Sequence, residues 1–282
     1  LDLNIFCFNA ESLPELEVIN ELAAKKGKTA QIALRINPDV DAHTHEYITT
    51  GLNENKFGFG LAHLEEAIEK LNTLKNIKLI GIHFHIGSQI EDLSVFEPLC
   101  QKVNDLQDFF EERGFKLENI NLGGGLGIDY ENPDEHPIPD FAGYFEVFKN
   151  NLKVREGQLV HFELGRAMVC QCGSLVTRTV YVKHGESKTF VIVDAGMTDL
   201  IRPALYQAYH EIENISSNQP VEKYDIVGPI CESSDVFAKG YELNGTQRGD
   251  ILVLRSAGAY GEIMASQYNC RELPKAYYSD KI

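Results

Sequence analysis

No stretch of this sequence is apolar enough to span a bilayer as a helix, so a helical membrane protein is not expected. Basic side chains are in short supply. Lys and Arg number 26 against 42 Asp and Glu, a formal net charge of −16. Such a surface repels phosphate backbones and anionic headgroups, so neither nucleic acid nor a membrane is expected as the partner. A small acidic substrate stays open, because a local arginine cluster can bind carboxylates inside an acidic protein. The six cysteines (Cys7, Cys100, Cys170, Cys172, Cys231, Cys270) form no Cys-x-x-Cys pair and no secretory spacing. Free thiols and a cytoplasmic location are the expectation. Cys170 and Cys172 would face one side of a strand, but no ligating partners stand near them and no metal is expected. There is no low-complexity linker and no internal repeat. The chain also opens at Leu1 without Met or an apolar leader, so it is silent about a targeting segment.

What is present is an ordinary globular composition, 43% hydrophobic and 24% charged over 282 residues, enough for one large or two medium domains. Short apolar runs at Ile5–Phe8, Gln31–Ile36, Leu79–Ile86, Ile120–Leu122 and Leu159–Leu164 read as strands. Helices are expected between them. Ser12 with Glu15, and Ser94 with Glu97, have the spacing of capping boxes. Leu61, Leu64, Ile68 and Leu71 form one apolar stripe; Phe141, Tyr144, Phe145, Phe148 and Leu152 form another. Strands alternating with helices at this spacing imply parallel βα units. After Arg166 the texture changes to Val-, Ile- and Thr-rich runs at Leu175–Val182, Thr189–Val193, Tyr224–Val227 and Ile251–Ser256, with one helix expected at Pro203–Ile212. The expected division is a cofactor-binding α/β domain over 1–166 and a mostly β domain over 167–282. Five parallel strands suit either an open doubly wound sheet or part of a (β/α)8 barrel. Arg35, His85, Gly123 and Glu163 fall at successive strand ends, as at the mouth of a barrel, so an incomplete barrel is expected, short of three units or on the order of 100 residues.

The chemistry is concentrated at those ends. Gly123-Gly124-Gly125 follows a strand, and three glycines in a row belong where something approaches the backbone closely. A tight turn is the plain reading; an anion nest, most often for phosphate, is the sharper one. His83 and His85 are two apart on a strand and share a side. They suit a core histidine, a metal pair, or a ring stacked on a flat cofactor. Later strand ends offer glycines and Glu163-Leu164-Gly165-Arg166 rather than further ligands, so a phosphate-bearing cofactor fits better than zinc. Ser88 can donate its hydroxyl to the same phosphate. Glu163 can pair with a protonated ring nitrogen, and Arg166 can grip a phosphate or carboxylate in bidentate fashion. In the second domain Cys231 and Glu232 share a turn, Arg202 and Tyr206 are one helical turn apart, and Tyr260 stands between small residues.

Taken in order, these segments resemble the pyridoxal-phosphate-dependent decarboxylases with an alanine-racemase-like barrel. The likeness runs through the residues from Arg35 to His45, Glu54-Asn55-Lys56-Phe57-Gly58, His85-Ile86-Gly87-Ser88-Gln89, the glycine triplet, Cys231-Glu232-Ser233-Ser234-Asp235 and Gly258-Ala259-Tyr260-Gly261. It implies a barrel that holds pyridoxal 5'-phosphate and a β domain that completes the site across a homodimer. By that resemblance His85 stacks on the pyridine ring and is catalytic. Ser88 and Gly123, Gly124 and Gly125 hold the phosphate, and Glu163, with Leu164 and Gly165 beside it, meets the ring nitrogen. Arg166, Arg202 and Tyr206 contact substrate carboxylate, Glu232 faces a distal ammonium, and Tyr260 touches cofactor and substrate. Cys231, supplied by the partner subunit, is the proton donor.

By the same resemblance the branch that acts on meso-diaminopimelate to give L-lysine is the nearest, and the distal amino acid group of that substrate would account for both Arg202 and Glu232. Other basic amino acid decarboxylases and a non-catalytic, decarboxylase-like binding protein are the alternatives. A metal-dependent barrel hydrolase using His83 and His85 is the rival without this cofactor. Two departures stand out. Leu164 replaces the family's proline, which implies a local backbone difference. The family's cofactor-anchoring lysine, on an early barrel strand, has no counterpart here, so these residues alone are expected to be inactive.

Overall fold

Five strands in the first half of the chain pair in parallel and in strict chain order: β1 (Phe8–Ala10), β2 (Ala30–Arg35), β3 (Ile77–His83), β4 (Asn119–Asn121) and β5 (Leu159–His161). The computed structural model describes residues 1–40 and 56–281; the stretch from Asp41 to His45 and the pair Glu54-Asn55 lie outside the described residues. Unreversed order decides between the two architectures, because a doubly wound sheet turns back at a switch point and a (β/α) barrel does not. Five of its strands are present among the described residues. The helices α1 (Leu13–Lys25), α2 (Leu64–Thr73), α3 (Phe96–Glu112) and α4 (Phe141–Asn151) fill the crossovers. Burial on both faces is what a parallel strand covered by helices requires, and β3 is buried continuously from Leu79 to His83.

Ser12 caps α1 by accepting from the Glu15 amide, and Asp140 caps α4 by accepting from that of Gly143. Elsewhere the sequence reading needs correction. The first strand is Phe8–Ala10 rather than Ile5–Phe8: the register pairs Phe8 with Ile32 and Ala10 with Leu34, which leaves Ile5 and Phe6 about half exposed, at 48% and 51%. Ser94 is not a cap. A 3-10 turn at Leu93–Val95 starts the helix earlier, and Asp92 accepts from the Ser94 amide. Behind the sheet, Phe96, Tyr144, Phe148 and Phe162 pack edge to face or tilted with centroids 4.9–5.7 Å apart, a geometry that aromatic quadrupoles favour.

Contacts divide the chain into two compact units, Leu1–Gly127 with Asp140–Leu164, and Ile128–Pro139 with Gly165–Ile282. A short helix, α5 (Arg166–Val169), opens the longer segment of the second unit. Its sheet has the order β10-β9-β7-β6-β11-β8, made of β6 (Leu175–His184), β7 (Thr189–Val193), β8 (Ile212–Asn214), β9 (Val221–Val227), β10 (Val236–Asn244) and β11 (Ile251–Leu254). All pairs are antiparallel except β7 with β9. Its core includes Val191, Val193, Leu200, Ile226, Leu252 and Leu254. The helix expected at Pro203–Ile212 is only α6 (Arg202–Tyr206). Gln207 turns left-handed at φ 53°, and Ile212 already belongs to β8. Cys170 and Cys172 do not share a strand face. They lie in a 3-10 turn, Cys170 buried and Cys172 exposed.

Candidate functional site

In the first unit the parallel ladder continues past the strand ends and carries Glu163 to the glycine triplet. Phe84 donates to Asn121 O, Leu122 to His161 O, and Glu163 to Gly123 O. What the glycines admit closely is the chain itself. A Cβ at Gly123 would fall under 3.0 Å from the Phe84 carbonyl oxygen, one at Gly124 likewise from Glu163 O, and one at Gly125 from Gly87 O. The triplet thus lets three strand ends crowd together.

Glu163 is the hub of a short network. Its Oε2 meets His83 Nε2 at 3.1 Å, and its Oε1 accepts from Asn121 Nδ2 at 2.7 Å and Asn9 Nδ2 at 3.5 Å. The His83 hydrogen bond, ahead of the one from Asn121 and against the opposing effect of burial, holds its carboxyl down at about 2. Charge is retained while the side chain stays 44% exposed. His85 lies beyond the end of β3 and accepts from the Gly124 amide through Nδ1 at 3.3 Å, which places its own proton on Nε2. Burial first, then the nearby charge of Arg35, pushes its imidazole down to about 4, so the ring is neutral at neutral pH. Ser88 is half-buried beside Gly87.

The second unit holds a buried cationic cluster. Arg166 Nη1 donates to Tyr130 Oη at 2.5 Å, and its guanidinium lies 4.8 Å from the Tyr260 ring centroid. Arg202 stacks on the other partner of that tyrosine pair, 4.8 Å from the Tyr130 centroid. Arg166, Arg202 and His210 are all buried. Arg202 Nη1 donates to His210 Nε2 at 2.9 Å, and His210 Nδ1 donates to Arg255 O at 2.8 Å. Burial holds His210 down at about 4 and pushes Tyr130 up to about 12. Tyr206 is half-buried on the short turn that carries Arg202. Tyr260 sits at φ 58°, a backbone strain of the kind that accompanies functional sites. Cys231 and Glu232 keep other company. Both are exposed, in a turn held by Asp235, which accepts from Ile230 N and Met197 N, and Glu232 accepts from Tyr268 Oη at 2.6 Å.

His210 makes a prediction. Its Nε2 must stay bare to accept from Arg202, so protonation would set donor against donor. Its folded-state value lies below the ordinary 6.5, hence the unfolded chain binds the proton more readily between the two. Stability should fall as pH drops from 6.5 toward 4 and level off below, by about 3 kcal/mol from this residue. Urea unfolding of His210→Gln across that range should show a shallower pH slope than the unsubstituted protein; an identical slope would contradict the assignment.

A family model described as the pyridoxal binding domain of pyridoxal-dependent decarboxylases matches residues 1–170. The chain belongs to the pyridoxal-dependent decarboxylases. It is 62% identical over 282 residues to a diaminopimelate decarboxylase of Bacteroides thetaiotaomicron, covering all of this chain and 73% of that one. To the enzyme of that name from Neisseria meningitidis serogroup A it is 46% identical over 272 residues, 96% of this chain and 66% of the relative. A crystal structure of diaminopimelate decarboxylase from Helicobacter pylori complexed with L-lysine superposes with a TM-score of 0.87 at 41% identity, covering 95% of this chain and 66% of that one. The chain thus spans about two thirds to three quarters of the length of these relatives.

The residues present fit the family's cofactor. The Gly125 amide makes no hydrogen bond among the described residues, and Gly125 is half-buried, so a donor is left for phosphate at the triplet. Glu163 offers an ionised carboxylate beside it. No group of three or more His, Cys, Asp or Glu among the described residues could hold a metal ion, and no described helix is long and apolar enough to cross a membrane. Sequence reasoning missed Asn9, Asn121 and His83 as the partners of Glu163, and Tyr130 and His210 as those of the arginines. Two of these had a signal: Asn121 is a polar side chain at a strand end two residues before the glycines, and His83 stands two residues from His85 on a strand.

Proposed function

We propose that the protein decarboxylates meso-diaminopimelate to L-lysine with pyridoxal 5'-phosphate. The observation that carries this reading is Glu163: an ionised carboxylate, gripped by His83 and Asn121, at the glycine triplet. Bound pyridoxal phosphate supplies a pyridinium that accepts the electron pair left as the C–C bond to the carboxyl breaks. The chain's residues do the rest. The Gly123–Gly125 backbone and Ser88 would hold the phosphate, neutral His85 would stack on the ring, and Glu163 would keep the ring nitrogen protonated. Leu164 and Gly165 shape the backbone between Glu163 and Arg166. Arg166, Arg202 and Tyr206 hold carboxylates. Fixing the reacting carboxylate perpendicular to the ring selects the bond that breaks. Glu232 answers the distal ammonium, Tyr260 lines the site, and Cys231 delivers the proton to carbon. The reading includes a cytoplasmic homodimer with shared active sites, in which 1–166 binds the cofactor and 167–282 supplies the remaining contacts.

The full-length protein should take up pyridoxal phosphate with near-visible absorbance and release CO2 from meso-diaminopimelate faster than from ornithine or arginine. Equal rates on all three would remove the assigned substrate; no absorbance would remove the cofactor.

A further inference from the structure

His83 is unusual for a histidine near a carboxylate. Its side chain is nearly enclosed, at 5% exposure, and one ring nitrogen reaches Glu163 Oε2 at 3.1 Å. The other, Nδ1, is buried with no hydrogen-bond partner. An N–H at Nδ1 would be a buried donor without an acceptor, a costly arrangement and more so if charged. A bare Nδ1 lone pair is cheaper to bury than that. The proton therefore belongs on Nε2, where it points at Glu163. In the flipped assignment Nε2 would be bare and two lone pairs would face each other across 3.1 Å.

The acceptor side agrees. A carboxylate accepts about four hydrogen bonds; Oε2 takes one from His83, while Oε1 takes those from Asn121 and Asn9. The ends of the two preceding strands thereby clamp the carboxyl group, since His83 ends β3 and Asn121 ends β4, the neighbour of β5. With Oε1 engaged by two donors and Oε2 by one, a proton on Glu163 would be left only the second position of Oε2. His83 is the imidazole with a ring nitrogen at hydrogen-bond distance from Glu163, whereas His85 spends its Nδ1 on the Gly124 amide.

We propose that His83 is a positioning residue that, as the Nε2–H tautomer, locks Glu163 as an anion and fixes its orientation toward the cofactor's ring nitrogen. The inference rests on the functional reading above and adds to it a residue that reading leaves without a role. His83 acts through Glu163, so its loss should change the electronics of the bound cofactor rather than the affinity for substrate.

The test uses the full-length enzyme, with His83→Leu, which removes the donor, and His83→Gln, which keeps one. His83→Leu should lower kcat about 10- to 100-fold, the usual cost of losing an orienting partner, with KM within about twofold. The pH at which the bound pyridoxal phosphate changes its absorbance should shift, and His83→Gln should restore both properties in large part. Nitrogen-15 resonances of His83 in the unsubstituted enzyme should report a protonated Nε2 and a bare Nδ1, a readout that needs no variant to fold. A His83→Leu enzyme with unchanged spectrum and kcat, or a change confined to KM, or a protonated Nδ1, would overturn the inference and leave the functional reading standing. An unsubstituted enzyme that takes up no pyridoxal phosphate would overturn both.

Discussion

Glu163→Gln in the full-length protein should lower kcat for CO2 release by about 10²–10³-fold, the scale seen when one electrostatic stabiliser of a reaction is removed. Two effects combine. The amide carries no charge, so nothing holds the ring nitrogen protonated. It also replaces one acceptor by an NH2 donor, which must face either His83 Nε2 or Asn121 Nδ2, both donors. The clamp that orients Glu163 then works against the substituted side chain. Pyridoxal phosphate should still bind, because the triplet and Ser88 are untouched, so absorbance titration separates lost chemistry from lost cofactor. Glu163→Asp keeps the charge but withdraws it by one carbon, and should fall between the two. An activity of Glu163→Gln within about threefold of the unsubstituted enzyme would remove the carboxylate from the proposed mechanism.

How much of this was legible in the sequence depends on the range of each interaction. Ser12 caps α1 as its spacing to Glu15 implies, because capping is settled within one turn. The parallel winding follows from strands alternating with amphipathic helices. Interactions at long range leave no such trace. Glu163 and His83 are 80 residues apart, and nothing local to either marks the other. β10 escaped for a different reason. Lys239, Gly240 and Glu242 break its apolar alternation, and Gly240 sits at φ 58° within the register shift between Ala238 and Tyr241, so a bulged edge strand reads as loop. β8 is three residues long and is a strand only because it pairs with β11. Tyr130 belongs to Ile128–Pro139, a segment that leaves the first unit and packs in the second. No pattern in a dozen residues announces that excursion.

The glycine triplet invites a test of whether phosphate or packing requires it. Gly123→Ala should destabilise the protein by about 3–5 kcal/mol, a large share of the roughly 5–15 kcal/mol of a typical domain. Its Cβ would strike the Phe84 carbonyl oxygen, a backbone atom that cannot swing aside, and φ is +68°. Gly27 and Gly114 provide the comparison. They adopt φ of +61° and +81°, yet a Cβ at either meets nothing within 4 Å. Alanine there should cost only the left-handed backbone penalty, about 1–2 kcal/mol. Urea midpoints of the three variants, measured without added cofactor, divide the conformational cost from the packing cost. A Gly123→Ala midpoint no lower than those of the comparison sites would mean that the strand ends yield easily, leaving the phosphate as the reason for glycine there. A much lower midpoint makes the triplet first a device for bringing the ends of β3, β4 and β5 together. The unbonded Gly125 amide is then a consequence of that closeness, and the anion site is a by-product of how the strands are joined.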